Sequence, residues 1–179
     1  MRRNKRKVFV YDGTKEVRRN VRHVRIADHV REIKEEAFWG RGELKTVELN
    51  EGLEKIGKNA FCGCWSLVEI MLPSSMRIIE YGAFSGCWEL KAVKFNSGLK
   101  RIYRRAFYMC IALIEAIFPS SLEEIGYDAF DGCQTLQRVE LNCYRDRIDE
   151  RFAFKGCVSL EEIVTSSIAK EIETSLVCV

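Results

Sequence analysis

Histidine and proline are scarce in this chain, which contains only two of each in 179 residues. No recognisable motif connects the histidines, His23 and His29, to a serine or cysteine nucleophile. No glycine-rich phosphate loop leads from a strand into a helix. The sequence therefore predicts a protein that is not an enzyme, has no small-molecule substrate, and requires no cofactor or metal.

Long apolar runs are also absent. No run approaches the roughly 20 residues that a membrane-crossing helix needs. After the basic residues 1–7 only the short run Val8 to Tyr11 is apolar, whereas a secretory signal needs about 7–15 apolar residues there. We therefore expect a cytoplasmic or nuclear protein that does not enter a membrane.

Charge is distributed unevenly along the chain. Residues 1–25 contain ten Lys or Arg residues against Asp12 and Glu16, a charge of +8, so the remainder carries −5 within the net charge of +3. A basic arm of this kind is either a solvated tail or a nuclear-localisation or nucleic-acid-binding segment. The basic cluster at 100–105 faces acidic residues at 123–124. It does not extend into the basic stripe that nucleic acid binding requires, so nucleic acid is not the expected partner.

An internal repeat dominates the sequence. Ala-Phe pairs recur at intervals of 23 residues four times and then of 24. The phenylalanines of these pairs are Phe38, Phe61, Phe84, Phe107, Phe130 and Phe154. The leucines that open the units are Leu44, Leu67, Leu90, Leu113, Leu136 and Leu160, with Val21 opening an earlier unit. Because one unit cannot bury its own apolar face, the units must stack as the coils of a solenoid.

Within a unit, apolar and polar residues alternate as in a strand. In the unit after Gly42, alternation predicts that Val47 and Leu49 point inward and that Glu48 and Asn50 point outward. Stacked coils turn each sequence position into a column with about 4.8 Å between neighbours. We expect the phenylalanines to form such a ladder at one end of the core.

The repeat resembles the BspA-type leucine-rich repeat. Residues 113–133, which close with Ala129-Phe130 and Gly132-Cys133, follow the family pattern almost residue by residue, and the resemblance covers about residues 21–172. It implies an α/β fold: a right-handed leucine-rich-repeat solenoid of mostly short parallel strands with tight turns or short helical turns, and a concave parallel sheet. It also implies a binding or adhesive role.

The asparagine ladder of ordinary leucine-rich repeats is missing here. Its approximate place holds Gly52, Ser75, Gly98, Ser121 and Tyr144. The buried backbone amides need other partners, and a second strand ladder would supply them. That ladder would run through Ile56, Ile79, Ile102 and Ile125. The preceding turns alternate between Asn-x-Gly and Pro-Ser-Ser, which is consistent with a duplicated unit of two coils.

The ends of a solenoid need protection because its core is exposed there. We assign residues 1–20 to a basic arm with a possible amino-terminal cap, and residues 21–179 to the solenoid, with six coils and a partial seventh. The extra residue within 142–147 is expected to bulge outward. The apolar stretch 176–179 either folds over the last coil or belongs to a longer array.

Five of the eight cysteines share one column. They are Cys64, Cys87, Cys110, Cys133 and Cys157. Their spacing would allow disulfides between neighbours, but the lack of an export signal favours reduced, buried thiols that act as small apolar groups. The pair Cys62 and Cys64 lacks zinc-site spacing, and no second Cys/His pair completes a site.

Apolar residues occupy several positions that the repeat should expose. After the cysteine column come Trp65, Trp88 and Ile111, and the adjacent strands add Val68, Met71, Ile114 and Ile117. Other coils fill these columns with Gly42, Lys45, Glu48, Gln134, Gln137 and Glu140. Exposed apolar patches with tryptophan often mark interfaces, which makes these seven residues the candidate protein-binding patch. The alternative is that the indole rings fold over the cysteine column and complete the core.

These observations favour a non-catalytic scaffold that binds another protein. A cell-surface adhesin is the second hypothesis, if the chain is a fragment of a longer one. Nucleic acid binding through the basic arm is the third.

Overall fold

The computed structural model describes residues 7–143, 148 and 150–165. In this part of the chain, short strands follow one another with a single helical turn near the end. The strands are β1 (Phe9–Tyr11), β2 (His23–Ile26), β3 (Glu32–Ile33), β4 (Thr46–Glu48), β5 (Lys55–Ile56), β6 (Glu69–Met71), β7 (Ile78–Ile79), β8 (Ala92–Lys94), β9 (Arg101–Ile102), β10 (Glu115–Phe118), β11 (Glu124–Ile125), β12 (Arg138–Leu141) and β13 (Glu162–Thr165), and the helix is α1 (Glu150–Ala153).

The strands form two parallel layers, so that the described chain is a β-solenoid. The front sheet contains the ladders β1-β2-β4, β6-β8 and β10-β12-β13, which follow one another along the axis. The back sheet is one five-stranded ladder in the order β11-β9-β7-β5-β3. It pairs Ile33, Ile56, Ile79, Ile102 and Ile125 in register. The second strand ladder expected from the sequence is therefore confirmed.

A ladder of phenylalanine rings fills the core between the sheets and the turns. Consecutive rings from Phe38 to Phe130 are nearly parallel, with centroids 4.9–5.2 Å apart. Phe84 and Phe107 have no solvent exposure. The spacing equals the distance between neighbouring parallel strands, so the backbone ladder sets the aromatic stack.

Asn50 does not point outward, and the expectation for this residue is wrong. Its side chain is 8% exposed and donates to the backbone oxygens of Ala27 and Val30 in the preceding coil, at 2.7 and 3.0 Å. The strand ends before Asn50, so alternation no longer fixes its direction. A buried amide is stable there because its donors are satisfied by two backbone carbonyls, of which the Ala27 oxygen also accepts from the Val30 nitrogen at 3.0 Å.

The alternation of the turn sequences has a structural basis. Asn50 and Asn96 donate to carbonyls of the preceding coil. In the intervening coils Ser75 donates to the Leu53 oxygen and Ser121 to the Leu99 oxygen, both at 2.7 Å. Asn50, Ser75 and Ser121 thus reach equivalent carbonyls, those of Val30, Leu53 and Leu99. Asn96 reaches a different one, that of Leu72.

Each turn uses two residues in the left-handed backbone region. One column is glycine in most coils, as at Gly63 and Gly86, but is Met109 in one coil, with φ values of 73°, 71° and 57°. The other column carries Glu36, Asn59, Gly82, Arg105 and Asp128. Glycine adopts this conformation without the steric cost that other residues carry. Met109 is therefore a strained member of its column.

The amino-terminal segment contributes a strand to the solenoid. Strand β1 pairs with β2 in parallel register, and the buried ring of Tyr11 packs against Phe38 with 5.0 Å between centroids. Residues 9–11 therefore extend the front sheet by one strand. The expectations for the basic arm at 1–6, the bulge within 142–147 and the stretch 176–179 fall wholly or mainly outside the described residues.

Candidate functional site

The structure places most of the predicted patch on the outer surface of the front sheet. Six of the seven side chains are exposed: Trp65, Val68, Met71, Trp88, Ile114 and Ile117. Trp65 and Trp88 are 50% and 48% exposed, and Met71 is 69% exposed. Ile111 is half-buried. The two indole rings therefore are not core residues, although each loses about half of its surface to packing.

The two tryptophans stack on each other beside the front sheet. Their ring centroids are 5.6 Å apart and the planes differ by 14°. The ring of Trp65 also covers Gly42 of the preceding coil, where an added Cβ atom would lie 2.7 Å from a ring carbon. Gly42 is consequently part of this arrangement, because a larger side chain at this position would displace the indole.

The apolar residues on and beside the middle strands do not form one continuous patch. Met71 lies on β6 and Ile117 on β10, with β8 between the two strands. Val68 and Ile114 immediately precede β6 and β10. The Lys91 nitrogen donates to the Val68 oxygen at 2.8 Å, and the Ile114 nitrogen donates to the Lys91 oxygen at 3.4 Å. Met71 pairs in register with Lys94. Two lysines thus separate the two apolar pairs.

At both ends of the front sheet the charged side chains pair within the molecule. Arg25 and Glu48 on β2 and β4 form an ion pair of 2.9 Å. On β12 and β13, Arg138 contacts Glu140 at 2.8 Å and Glu162 at 3.4 Å. The middle of the sheet, from β6 to β10, has no such pair among the described residues. The middle therefore differs chemically from both ends.

Sequence reasoning did not single out the charged residues of the middle strands. Glu69, Lys91, Lys94 and Glu115 occupy columns in which charge is ordinary, so no single position is anomalous. Only a comparison of all three strands side by side reveals their arrangement. Another feature that it missed is the exposed stack of Tyr127 on Phe152, with centroids 4.7 Å apart.

The histidines take structural roles. His23 Nδ1 lies 2.9 Å from the Thr46 hydroxyl oxygen, and His29 Nε2 lies 3.2 Å from the backbone oxygen of Asp12. In the described part of the chain, no cluster of three His, Cys, Asp or Glu side chains could hold a metal ion. No helix there is long and apolar enough to cross a membrane.

The four cations of the basic cluster at 100–105 pair with three acidic neighbours. Lys100 contacts Glu123 at 2.9 Å, and Arg104 contacts Asp128 at 3.5 Å. Cross-coil pairing of this kind offsets most of the positive charge of the cluster.

The cysteine column is buried beside the phenylalanine ladder. Each of the five thiols donates to the backbone oxygen of the phenylalanine that precedes it by 26 or 27 residues, at 3.2–3.3 Å. Burial raises the pKa of the Cys64 thiol to about 12 and raises the pKa of Cys110 further. Cys64 and Cys110 are therefore protonated and poor nucleophiles near neutral pH, whereas a hydrogen bond with Cys133 lowers the pKa of Cys157.

The chain has two parallel sheets, one stacked phenylalanine per coil and an outer face whose side chains differ from coil to coil. These features define it as a leucine-rich-repeat solenoid. The model of the BspA-type leucine-rich repeat region matches in six copies over residues 16–137 and 100–177. The chain belongs to the BspA-type leucine-rich repeat family, as its sequence pattern indicated.

Solved structures of leucine-rich-repeat proteins resemble the chain. A leucine-rich repeat protein of T. pallidum (TpLRR) is 28% identical over 86% of this chain and 82% of its own, with a TM-score of 0.71. One from Bacteroides ovatus is 26% identical over 83% of this chain with a TM-score of 0.47, and this chain spans half of its length. A leucine-rich cell surface protein of Faecalibacterium prausnitzii is 20% identical over 90% of this chain and 58% of its own, also with a TM-score of 0.47. A comparison with curated proteins gives no match.

Proposed function

We propose that the chain is a non-catalytic scaffold that binds a protein through the middle of the front sheet and the adjacent tryptophan pair. The observation that carries the proposal is the exposure of Met71, Ile114 and Ile117 on strands whose inward side chains already fill the core. Packing does not require apolar groups at these positions. Glu48 and Glu140 occupy the column of Met71 and Ile117 in other coils, and Gln137 occupies that of Ile114. Binding is the usual reason to retain apolar groups on a surface.

The tryptophan pair supplies the kind of anchor that interfaces concentrate. Trp65 and Trp88 form a stacked, half-exposed surface next to the strand residues. Large aromatic side chains lose little conformational entropy on binding when they are already held, and they are enriched among residues that dominate binding energy. Stacking on Gly42 and on each other holds these rings in place before a partner arrives.

The proposed location is inside the cell, in the cytoplasm or the nucleus. It rests on a column of thiols that act as hydrogen-bond donors to backbone oxygens, a role that a disulfide would abolish. Reducing compartments keep such thiols free. Intact mass measured after alkylation in denaturant, without reductant, should show every cysteine modified. Two or more disulfides in the native protein would favour the cell-surface adhesin instead.

The binding role can be tested without disturbing the core. The double variant Met71→Ser with Ile117→Ser removes two exposed side chains, and Val10→Ser is the matched control because it lies in the same outward column on β1. Tagged proteins would be used for affinity capture from the native cell with quantitative mass spectrometry. The double variant should lose a protein that the parent and Val10→Ser both retain. Equal recovery with all three would contradict the proposal.

A further inference from the structure

Nine exposed residues in the middle of the front sheet form a grid of three rows across three strands, in which the first two rows are adjacent along the chain and the third lies two residues further on. The strands β6, β8 and β10 lie side by side, joined by the hydrogen bonds from Lys91 to Val68 and from Ile114 to Lys91. The rows are Val68, Lys91, Ile114; then Glu69, Ala92, Glu115; then Met71, Lys94, Ile117. Every one of these nine residues is exposed. With about 4.8 Å between strands, the grid is about 10 Å wide.

The grid has a simple chemical pattern. Its four corners are apolar, the middle of each edge carries a charge, and the small side chain of Ala92 occupies the centre. The lysines lie above and below Ala92 on the same strand, while Glu69 and Glu115 lie on either side of it on the neighbouring strands. The span from Lys91 to Lys94 is three residues, or about 10 Å, which is close to the width across the three strands. A quarter turn therefore brings lysine positions near glutamate positions and apolar corners near apolar corners.

The four charges of the grid are free to meet a partner. None of them is in an ion pair or side-chain hydrogen bond in the described part of the chain, in contrast to Arg25 with Glu48 and Arg138 with Glu140 at the two ends of the sheet. The grid has two positive and two negative charges, so its net charge is zero. A uniformly acidic segment would meet the two glutamates, and a uniformly basic segment would meet the two lysines.

We infer that the partner of this surface is a second copy of the same chain, an inference that rests on the proposed function because it uses the same face. The two front sheets would pack face to face with their strands crossing at about a right angle, which is one of the two common ways in which sheets pack. Lys91 and Lys94 of each copy would then face Glu69 and Glu115 of the other. Such a contact has two-fold symmetry, because every pairing occurs twice.

The small size of the grid sets the expected strength. Even with Trp65 and Trp88 at its edge, the contact would bury a surface area at the low end of the range for specific interfaces. Four ion pairs at a partly exposed contact give specificity and orientation more than affinity. The dissociation constant of the dimer should therefore be in the micromolar range and should rise as salt is added.

Charge reversal gives a sharp test because the pattern predicts which combinations break and which restore the contact. Lys91→Glu with Lys94→Glu gives four negative charges, and Glu69→Lys with Glu115→Lys gives four positive charges. Either double variant should self-associate at least about tenfold more weakly than the parent. The quadruple variant with all four reversals regains the alternating pattern and should dimerise like the parent. Lys34→Glu, an exposed change at the end of β3 on the back sheet, is the control and should leave dimerisation unchanged.

Sedimentation equilibrium reads the result directly as mass, 20.7 kDa for the monomer and twice that for the dimer. A parent that stays monomeric up to about 1 mM, the weak end of specific association, would overturn the inference. So would a quadruple variant that stays monomeric while the parent dimerises, because the pattern would then not be the cause. If the parent is monomeric but Met71→Ser with Ile117→Ser still weakens capture of a different protein, only the dimer is wrong and the proposed function stands.

Discussion

The Sγ atom of Cys110 donates a hydrogen bond to the backbone oxygen of Phe84, one coil earlier, at 3.2 Å. The same oxygen accepts a second bond from the backbone nitrogen of Cys87 in its own coil. Sequence analysis interpreted the cysteine column as small apolar filler. In the structure the thiols also link each coil to the one before it, which a residue of similar size without a donor would not do.

Replacing Cys110 with alanine should lower the free energy of unfolding by about 1–2 kcal/mol. The change removes one of two hydrogen bonds to a buried carbonyl and leaves a small cavity. Cys62→Ala is the matched control, since this cysteine is only half-buried and its loss should cost less. Denaturant titration of both variants measures the difference. Equal losses would mean that the column thiol has no special role.

Alkaline pH should destabilise the protein through the buried thiols. The pKa of Cys64 is about 12 in the folded protein against an ordinary value of 9.0, so the unfolded chain releases its proton first. The stabilisation is fully present below pH 9 and is lost as pH rises from 9 toward 12. Cys64→Ala should therefore reduce the alkaline slope of stability by up to about 1.4 kcal/mol per pH unit. An unchanged slope in chemical denaturation between pH 9 and 11 would contradict this.

The phenylalanine ladder should be the most sensitive part of the core. Phe84→Ala should cost about 3–5 kcal/mol, because the ring lies between Phe61 and Phe107 and the fixed coil spacing prevents collapse of the cavity. Glu48→Ala removes only an exposed ion pair with Arg25 and should cost under about 1 kcal/mol. Thermal or urea unfolding compares the two. Similar losses of unfolding free energy for both variants would be inconsistent with the register that buries Phe84 and exposes Glu48.

The repeat made the fold predictable. Each structural position occurs in six coils, so a residue type that recurs there indicates the role of the position even when single coils deviate. Ile56 and its equivalents therefore predicted the back sheet correctly. Asn50 was assigned to the wrong side because strand alternation was extended two residues past Glu48, where the strand ends. Only the structure shows that the Asn50 amide satisfies the carbonyls of Ala27 and Val30.

The candidate site was less predictable than the fold. Column statistics correctly drew attention to Met71 and Ile117 as unusual outward residues. The comparison within columns did not reveal that Lys94 lies between Met71 and Ile117, because a lysine in that column is not unusual. The chemical surroundings of an outward residue are set by its neighbours in the adjacent coils. They can be read only from the strand register, not from the residues that share its column.

The glycine column should respond in opposite directions to two substitutions. Gly86→Ala places a Cβ atom on a residue with φ of 71° and should cost about 1–2 kcal/mol. Met109→Gly removes that penalty from the one described coil that lacks glycine in this column, and should raise stability by up to about 1 kcal/mol. Relative to the parent protein, the urea concentration at the unfolding midpoint should fall for Gly86→Ala and rise for Met109→Gly. A destabilised Met109→Gly variant would show that packing of the methionine side chain outweighs its backbone strain.

The tryptophan pair gives the last prediction. Because Trp65 and Trp88 are each about half-buried and their rings stack, Trp88→Ala should cost about 2 kcal/mol of stability, well short of the loss for a core phenylalanine. The stacked rings should also be coupled, so the double variant should cost about 0.5–1.5 kcal/mol less than the two single losses together. Full additivity in the denaturant titration would mean that the rings do not stack in solution. In that case the rings would not be held in place before binding, and the tryptophan pair would drop out of the proposed recognition surface while Met71 and Ile117 remained in it.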